Sequence, residues 1–225
     1  MDDELRTPMQ ALAGAAEHLR RAAATPEARA HIATLAQASE VLKLVLDDLT
    51  ELDQLENGLV RVEPGPADPR ELVRGVVSAF RSAAHDKHLE LFLDITRHTP
   101  ALVEIDARRL RQILFNLLAN AVRYTSHGGV RVSLHALGCE RPNHVRLNFI
   151  VADTGAGMSR TQLAQIFGRE RLSGDGEGPG LGLAISLRLA RLMGAQLNAK
   201  SELGQGSVFT LTVEAPLLAE AASAA

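Results

Sequence analysis

The apolar periodicity changes near residue 60, and that change limits the chain to two units of different kind. Before it, the sequence has no strand-like alternation and is rich in Ala, Leu, Glu and Arg, the good helix formers. Thr25-Pro26 interrupts this stretch. Thr25 can cap a second helix, and Pro26 suits a first turn, where its missing N–H would be unpaired anyway. The first unit therefore reads as an antiparallel helical hairpin. Along its second helix Leu35, Ala38, Leu42, Val45, Leu49 and Leu52 alternate spacings of three and four, the a/d seam of a coiled coil. So narrow a hairpin leaves an apolar stripe exposed in a monomer, which predicts a homodimer whose two hairpins form a four-helix bundle. The other reading is that the stripe packs on the rest of the same chain.

Gly58 and then Pro64-Gly65-Pro66 break the helical pattern. The expected division is a hairpin at 1–62, a linker at 63–66, a second domain at 67–216 and a flexible tail at 217–225. Within the second domain, Asp68-Pro69 starts a helix through about Ala84, and a strand covers Leu89–Ile95. A helix from Asp106 to Tyr124 precedes strands near Val130–Leu137 and Val145–Asp153. A short helix near Thr161–Phe167, a glycine-rich segment, a helix from about Leu181 to Met193 and strands near Ala195–Lys200 and Ser207–Val213 complete the pattern. The fold class is α+β: the hairpin, then an α/β sandwich with helices on one sheet face and an antiparallel hairpin at each end of the sheet.

Bulk properties exclude little but are consistent. A hydrophobic content of 46% in 225 residues can bury a core in one large or two modest domains. A net charge of −3 gives no sign of a nucleic-acid surface. The single cysteine, Cys139, cannot form an internal disulfide, which is compatible with a reducing compartment. No apolar run approaches the ~20 residues that span a bilayer, and no signal peptide is visible. The expectation is a soluble, cytoplasmic piece, with membrane contact only through upstream regions.

Four segments of the second domain carry chemistry. In Asn116-Leu117-Leu118-Ala119-Asn120-Ala121 the asparagines stand four apart and share a helix face, while the leucines turn to the core. Asn120 offers a neutral carbonyl oxygen suited to Mg²⁺, which keeps several waters and takes few protein ligands. Arg123 adds positive charge and Tyr124 a flat ring. In Asp153-Thr154-Gly155-Ala156-Gly157-Met158 the acid ends a strand, where it can accept from an exocyclic amine, and the glycines permit close backbone approach to a ligand. Gly178-Pro179-Gly180-Leu181-Gly182-Leu183 opens a helix, so free N–H groups and a positive dipole end can face phosphates. Gly204-Gln205-Gly206-Ser207-Val208-Phe209 reads as a turn between two strands. Each alone is a weak signal, explicable as a polar helix face or a loop.

Together, in this order, they make the sequence resemble the Bergerat-fold ATPase domain of sensor histidine kinases. The N box would be Arg111–Thr125, the G1 box Asp153–Met158, a poor F box Ile166-Phe167 and the G2 box Gly178–Leu183. The resemblance implies that Asp153 recognises the adenine amine and that Asn120 binds Mg²⁺. It places Asn116 near the γ-phosphate of ATP, and Gly180 and Gly182 along the phosphate channel. Arg123, Tyr124, Gly155, Gly157, Gly178 and Leu181 complete the implied nucleotide site, with residues between Gly168 and Gly180 as its lid. Two departures stand out: Gly168-Arg169-Glu170 replaces the usual Glu-Pro-Phe run, and Pro179 lacks an N–H where the family commonly has Thr or Ser. The related gyrase-like and chaperone ATPases usually carry Glu at the position of Asn116.

Glu4-Leu5-Arg6-Thr7-Pro8 resembles the same family's phosphoacceptor motif, whose histidine falls here on Asp3. A carboxylate is shorter and less nucleophilic than imidazole and repels the incoming phosphate, so autophosphorylation is expected to fail. His18 lies fifteen residues on, ~22 Å along a helix, and does not substitute. The resemblance implies that Glu4 assists proton transfer and that Thr7 can orient a water to hydrolyse the aspartyl-phosphate of a response-regulator receiver domain. Three activities remain open on sequence: a kinase core blocked at Asp3, a phosphatase using Glu4 and Thr7, and a non-catalytic dimeric regulator that binds ATP.

Overall fold

The computed structural model describes residues 46, 49–167 and 181–218. The chain divides into two compact units, Met1–Val60 and Arg61–Ala225. Asp3, Glu4, Thr7, the Thr25-Pro26 break and most of the coiled-coil seam lie outside the described residues, so the expected bundle does too. Residues 49–56 are helical.

The second unit runs β1 (Gly65–Ala67), α1 (Pro69–Asp86), β2 (Glu90–Ile95), β3 (Val103–Ile105), α2 (Ala107–Tyr124), β4 (Gly129–Gly138), β5 (His144–Asp153), α3 (Arg160–Phe167), α4 (Leu181–Leu192), β6 (Gln196–Glu202) and β7 (Gly206–Pro216). The main sheet has the order β2-β4-β5-β7-β6. All pairs are antiparallel except β2 with β4. The expectation of an antiparallel hairpin at each end therefore holds at β6–β7 and fails at β2. The chain leaves β2 and returns to β4 through α2, and a helical crossover delivers the next strand parallel. Strands β1 and β3, three residues each, pair antiparallel in a small second sheet that the sequence did not reveal, being too short to show alternation. Beyond β7, Leu217 N–H donates to the Asn143 carbonyl at 2.8 Å and Leu218 N–H to Leu102 at 3.2 Å. These two residues of the expected tail are thus bonded to the second unit.

One face of the sheet is apolar. Val132, Leu134, Leu147, Phe149, Val151, Leu211 and Val213 are buried there, and α1, α2 and α4 pack over the sheet. Leu110, Ile113, Leu114, Leu117 and Leu118 supply the buried face of α2, so the leucines between the two asparagines do turn inward. Burial follows the strand period of two on β5 and β7. The intervening residues, including the ion pair of Arg146 with Glu214 at 2.7 Å, lie on the other face.

The helix ends obey their caps. Asp68 accepts from Arg70 N–H at 2.8 Å to start α1. Asp106 accepts from Arg109 N–H at 2.9 Å to start α2, and its second oxygen takes the N–H of Glu63 at 2.8 Å. Ser159 and Gln162 exchange bonds at 2.9 and 3.2 Å, a capping box before α3. At the C-termini among the described residues one arrangement occurs three times: Leu59 N–H to Gln54, Leu89 to Ala84 and Ala195 to Ala190, each preceded by a residue at positive φ. Two of these are Gly58 and Gly194, but the third is His88 at φ 56°. A side chain in that left-handed conformation costs about 1 kcal/mol. His88→Gly is therefore expected to stabilise the protein by up to about 1 kcal/mol despite glycine's greater freedom when unfolded, read as a higher urea midpoint with unchanged slope. Among the described residues no helix is long and apolar enough to cross a membrane.

Candidate functional site

The site is built around α2, which presents polar residues at its middle and at its C-terminal end. Asn116 and Asn120 are half-buried on one face. Asn116 is held: its Nδ2 donates to Ser186 Oγ at 3.2 Å, linking α2 to the first turns of α4. The Asn120 side chain makes no hydrogen bond to the described residues. At the end of the helix Arg123 and Tyr124 are exposed, with the guanidinium carbon 5.5 Å from the ring centroid. The last turn is closed by Lys87, whose Nζ donates to the carbonyls of Val122 at 2.9 Å and Arg123 at 3.0 Å, a cation placed at the negative end of the helix.

The loop after β5 meets that helix end. Ala156 N–H donates to the Tyr124 carbonyl at 3.3 Å. Asp153, half-buried, accepts from the Gly155 N–H at 2.8 Å. Burial pushes its carboxyl above the ordinary carboxylate value, opposed by the N–H groups of Gly155 and Ser207. A carboxylate partly withdrawn from water is suited to accept from an N–H donor of a ligand. Thr154 anchors the loop from beneath, its hydroxyl donating to the His127 carbonyl at 2.9 Å and accepting from Gly129 N–H at 3.0 Å.

The β6–β7 turn, read from sequence only as a turn, also shapes this loop. Gly204 N–H donates to Ala156 at 2.7 Å. Ser201 Oγ accepts from Met158 N–H at 2.7 Å and donates to Gly206 at 2.9 Å. Gly157, at φ 64°, lies against the Glu202 carbonyl, and Gly206, at φ 94°, lies against that of Asp153; a Cβ on either would overlap those backbones. Ser186, Ser201 and Lys87 were not among the expected site residues. Their role depends on partners 70, 43 and about 35 positions away, and no local pattern marks such contacts.

The structure thus brings Tyr124, Asp153 and Gly155 together at the end of α2, and Asn116 against Gly182 of α4, which begins at Leu181; Asn120 shares the helix face of Asn116. Gly178 and Gly180, with the rest of the expected lid, lie outside the described residues. What is seen is a helix with amide side chains, a half-buried acid on a glycine loop and a helix start that carries Gly182. Such a set offers donors and acceptors to a nucleotide and amide oxygen to a hard cation.

Residues 105–217 match the histidine kinase-, DNA gyrase B-, and HSP90-like ATPase family, and residues 1–58 match the His Kinase A (phospho-acceptor) domain. The autoinducer 2 sensor kinase/phosphatase LuxQ of Vibrio cholerae is 34% identical over 223 residues, covering 97% of this chain and 26% of that protein. The aerobic respiration control sensor protein ArcB of Escherichia coli is 33% identical over 223 residues, 96% of this chain and 28% of that protein. The chain spans about a quarter of the length of these relatives. Among solved structures, full-length ShkA in complex with AMPPNP superposes with a TM-score of 0.80 at 32% identity, over 97% of this chain and 45% of that one. The Acinetobacter baumannii histidine kinase AdeS shares the fold, with a TM-score of 0.63 at 24% identity over 93% of this chain and 96% of that one.

Proposed function

The chain belongs to the histidine kinase family as its catalytic core, and from that premise we propose that it binds Mg-ATP in the second unit while Asp3 blocks phosphorylation of the first. The observation that carries the nucleotide reading is the pair of junctions on α2: its C-terminal end at Tyr124 meets the glycine loop of Asp153, and Asn116 meets Gly182 and Ser186 of α4. Asp153 accepts the adenine amine, and Gly155 and Gly157 let the purine approach backbone. Tyr124 and Arg123 flank the outer wall. Asn116 and the α4 start, with Leu181 and Gly182, face the phosphates, and Gly178 and Gly180 are assigned to the same role on sequence alone. The amide oxygen of Asn120 fits Mg²⁺, which when bound offsets the charge of the phosphates. A neutral ligand set like this favours a metal arriving with the nucleotide over a resident one. The relative solved with AMPPNP supports the ligand class.

The acceptor side rests on sequence. The 1–58 match supports the assignment of Glu4-Leu5-Arg6-Thr7-Pro8 to the phosphoacceptor helix, which puts Asp3 where phosphate would land. We take the whole protein to be a homodimer acting on a response-regulator receiver domain. Glu4 and Thr7 are intact, and the relative LuxQ is named a kinase and phosphatase. That favours receiver dephosphorylation as the second reading. Titration of the chain with Mg-AMPPNP by calorimetry tests the central claim: saturable binding at one site per chain is expected. No heat with or without Mg²⁺ would refute it.

A further inference from the structure

The bond between Asn116 and Ser186 joins two segments far apart in sequence, and its polarity is determined by a neighbour. Ser186 is buried, 1% exposed. A serine hydroxyl has one proton to give. Ser186 gives it to the Gly182 carbonyl at 2.9 Å, an oxygen that can only accept. Toward Asn116 the same oxygen can then only accept, and Asn116 must turn its NH₂ to it, at 3.2 Å. The amide also lies flat on the α4 backbone, where Gly182 makes room: a Cβ at 182 would overlap the Asn116 amide. Flip and position of the Asn116 side chain are both set by α4.

We propose that Ser186 is a positioning residue for Asn116, fixing which end of its amide faces the phosphate and metal end of a bound nucleotide. This rests on the nucleotide reading given above. With Ser186 in place the amide oxygen is kept as the free acceptor, suited to a metal-bound water, and the NH₂ group is held toward α4. Without the hydroxyl, the amide has no partner that prefers one flip, and both orientations become populated. The adenine end of the site, at Asp153, shares no hydrogen bond with Ser186 among the described residues and is unaffected.

Calorimetric titration of the full chain separates these effects. Ser186→Ala is expected to weaken Mg-AMPPNP binding about fivefold to tenfold while changing ADP binding in EDTA by less than about twofold. In the Asn116→Ala background the same substitution is expected to add nothing, because it acts through that amide. Equal losses for both ligands, or a full additional loss in the Asn116→Ala background, would mean that Ser186 supports only packing and would overturn the proposal. Wild-type affinity for Mg-AMPPNP in Ser186→Ala would do the same. Should the alanine variant fail to fold, Ser186→Cys keeps the volume with a weaker bond. The same ligand pattern at smaller amplitude is expected, and its absence counts against the idea. A parent chain that binds neither ligand would instead remove the nucleotide site itself.

Discussion

Asp153→Ala is expected to weaken Mg-AMPPNP binding by about tenfold to a hundredfold, the loss set by one hydrogen bond to a charged acceptor in a partly dry site. The carboxylate is already placed by the Gly155 N–H at 2.8 Å, so ligand binding need not order it. Burial raises its pKa, and the sign of the consequence differs for folding and for binding. A folded-state value above the unfolded one means that the fold prefers the protonated acid. The stability this group contributes therefore appears as pH falls through the raised value and is absent at neutral pH. Binding depends on the ionised oxygen, so affinity is expected to fall on acidification, beginning above the ordinary carboxylate range. Asp153→Asn keeps the shape and a carbonyl acceptor, and should bind more weakly with that step removed. Calorimetry across pH at fixed ionic strength reads both effects. Unchanged affinity in Asp153→Ala would refute the adenine assignment.

Asp3→His is expected to raise incorporation of the γ-phosphate of ATP by at least about 100-fold, equivalent to about 2.7 kcal/mol of barrier. The parent chain offers an anion to an anion, whereas imidazole is neutral near pH 7 and presents a nucleophilic nitrogen. The phosphate gained should be labile in acid and stable in base, as expected of a phosphoramidate and not of an acyl phosphate. Asn120→Ala in the histidine variant should abolish labelling, which ties the reaction to the nucleotide site. Labelling of the parent as fast as the variant would show that Asp3 is no block. If the variant binds nucleotide and still fails to label, the regulatory reading replaces the blocked kinase.

Much of the fold was readable because its determinants are local. Asp68-Pro69 and Asp106 each start a helix where their side chains cap it. The period of two on β5 and β7 marks one face for burial, and Gly58 ends a helix by the left-handed turn that glycine favours. His88 forms the same turn without glycine, and nothing in its neighbourhood announced that. The parallel pairing of β2 with β4 was missed because strand direction depends on the route of α2, not on the residues of either strand.

The candidate site divides in the same way. Sequence alone determined its chemical vocabulary, the amides of Asn116 and Asn120, the carboxylate of Asp153 and the glycines around it, since spacing and residue type are carried by the chain. Only the tertiary structure decided that the Ser201 hydroxyl and the Gly204-Gln205-Gly206 turn clamp the Asp153 loop, that Lys87 closes the end of α2 and that Ser186 orients Asn116. Those contacts join segments that no periodicity connects. They form because packing three helices on one sheet face brings the loop ends together, and hydrogen bonds are then made by whichever polar groups arrive at bonding distance.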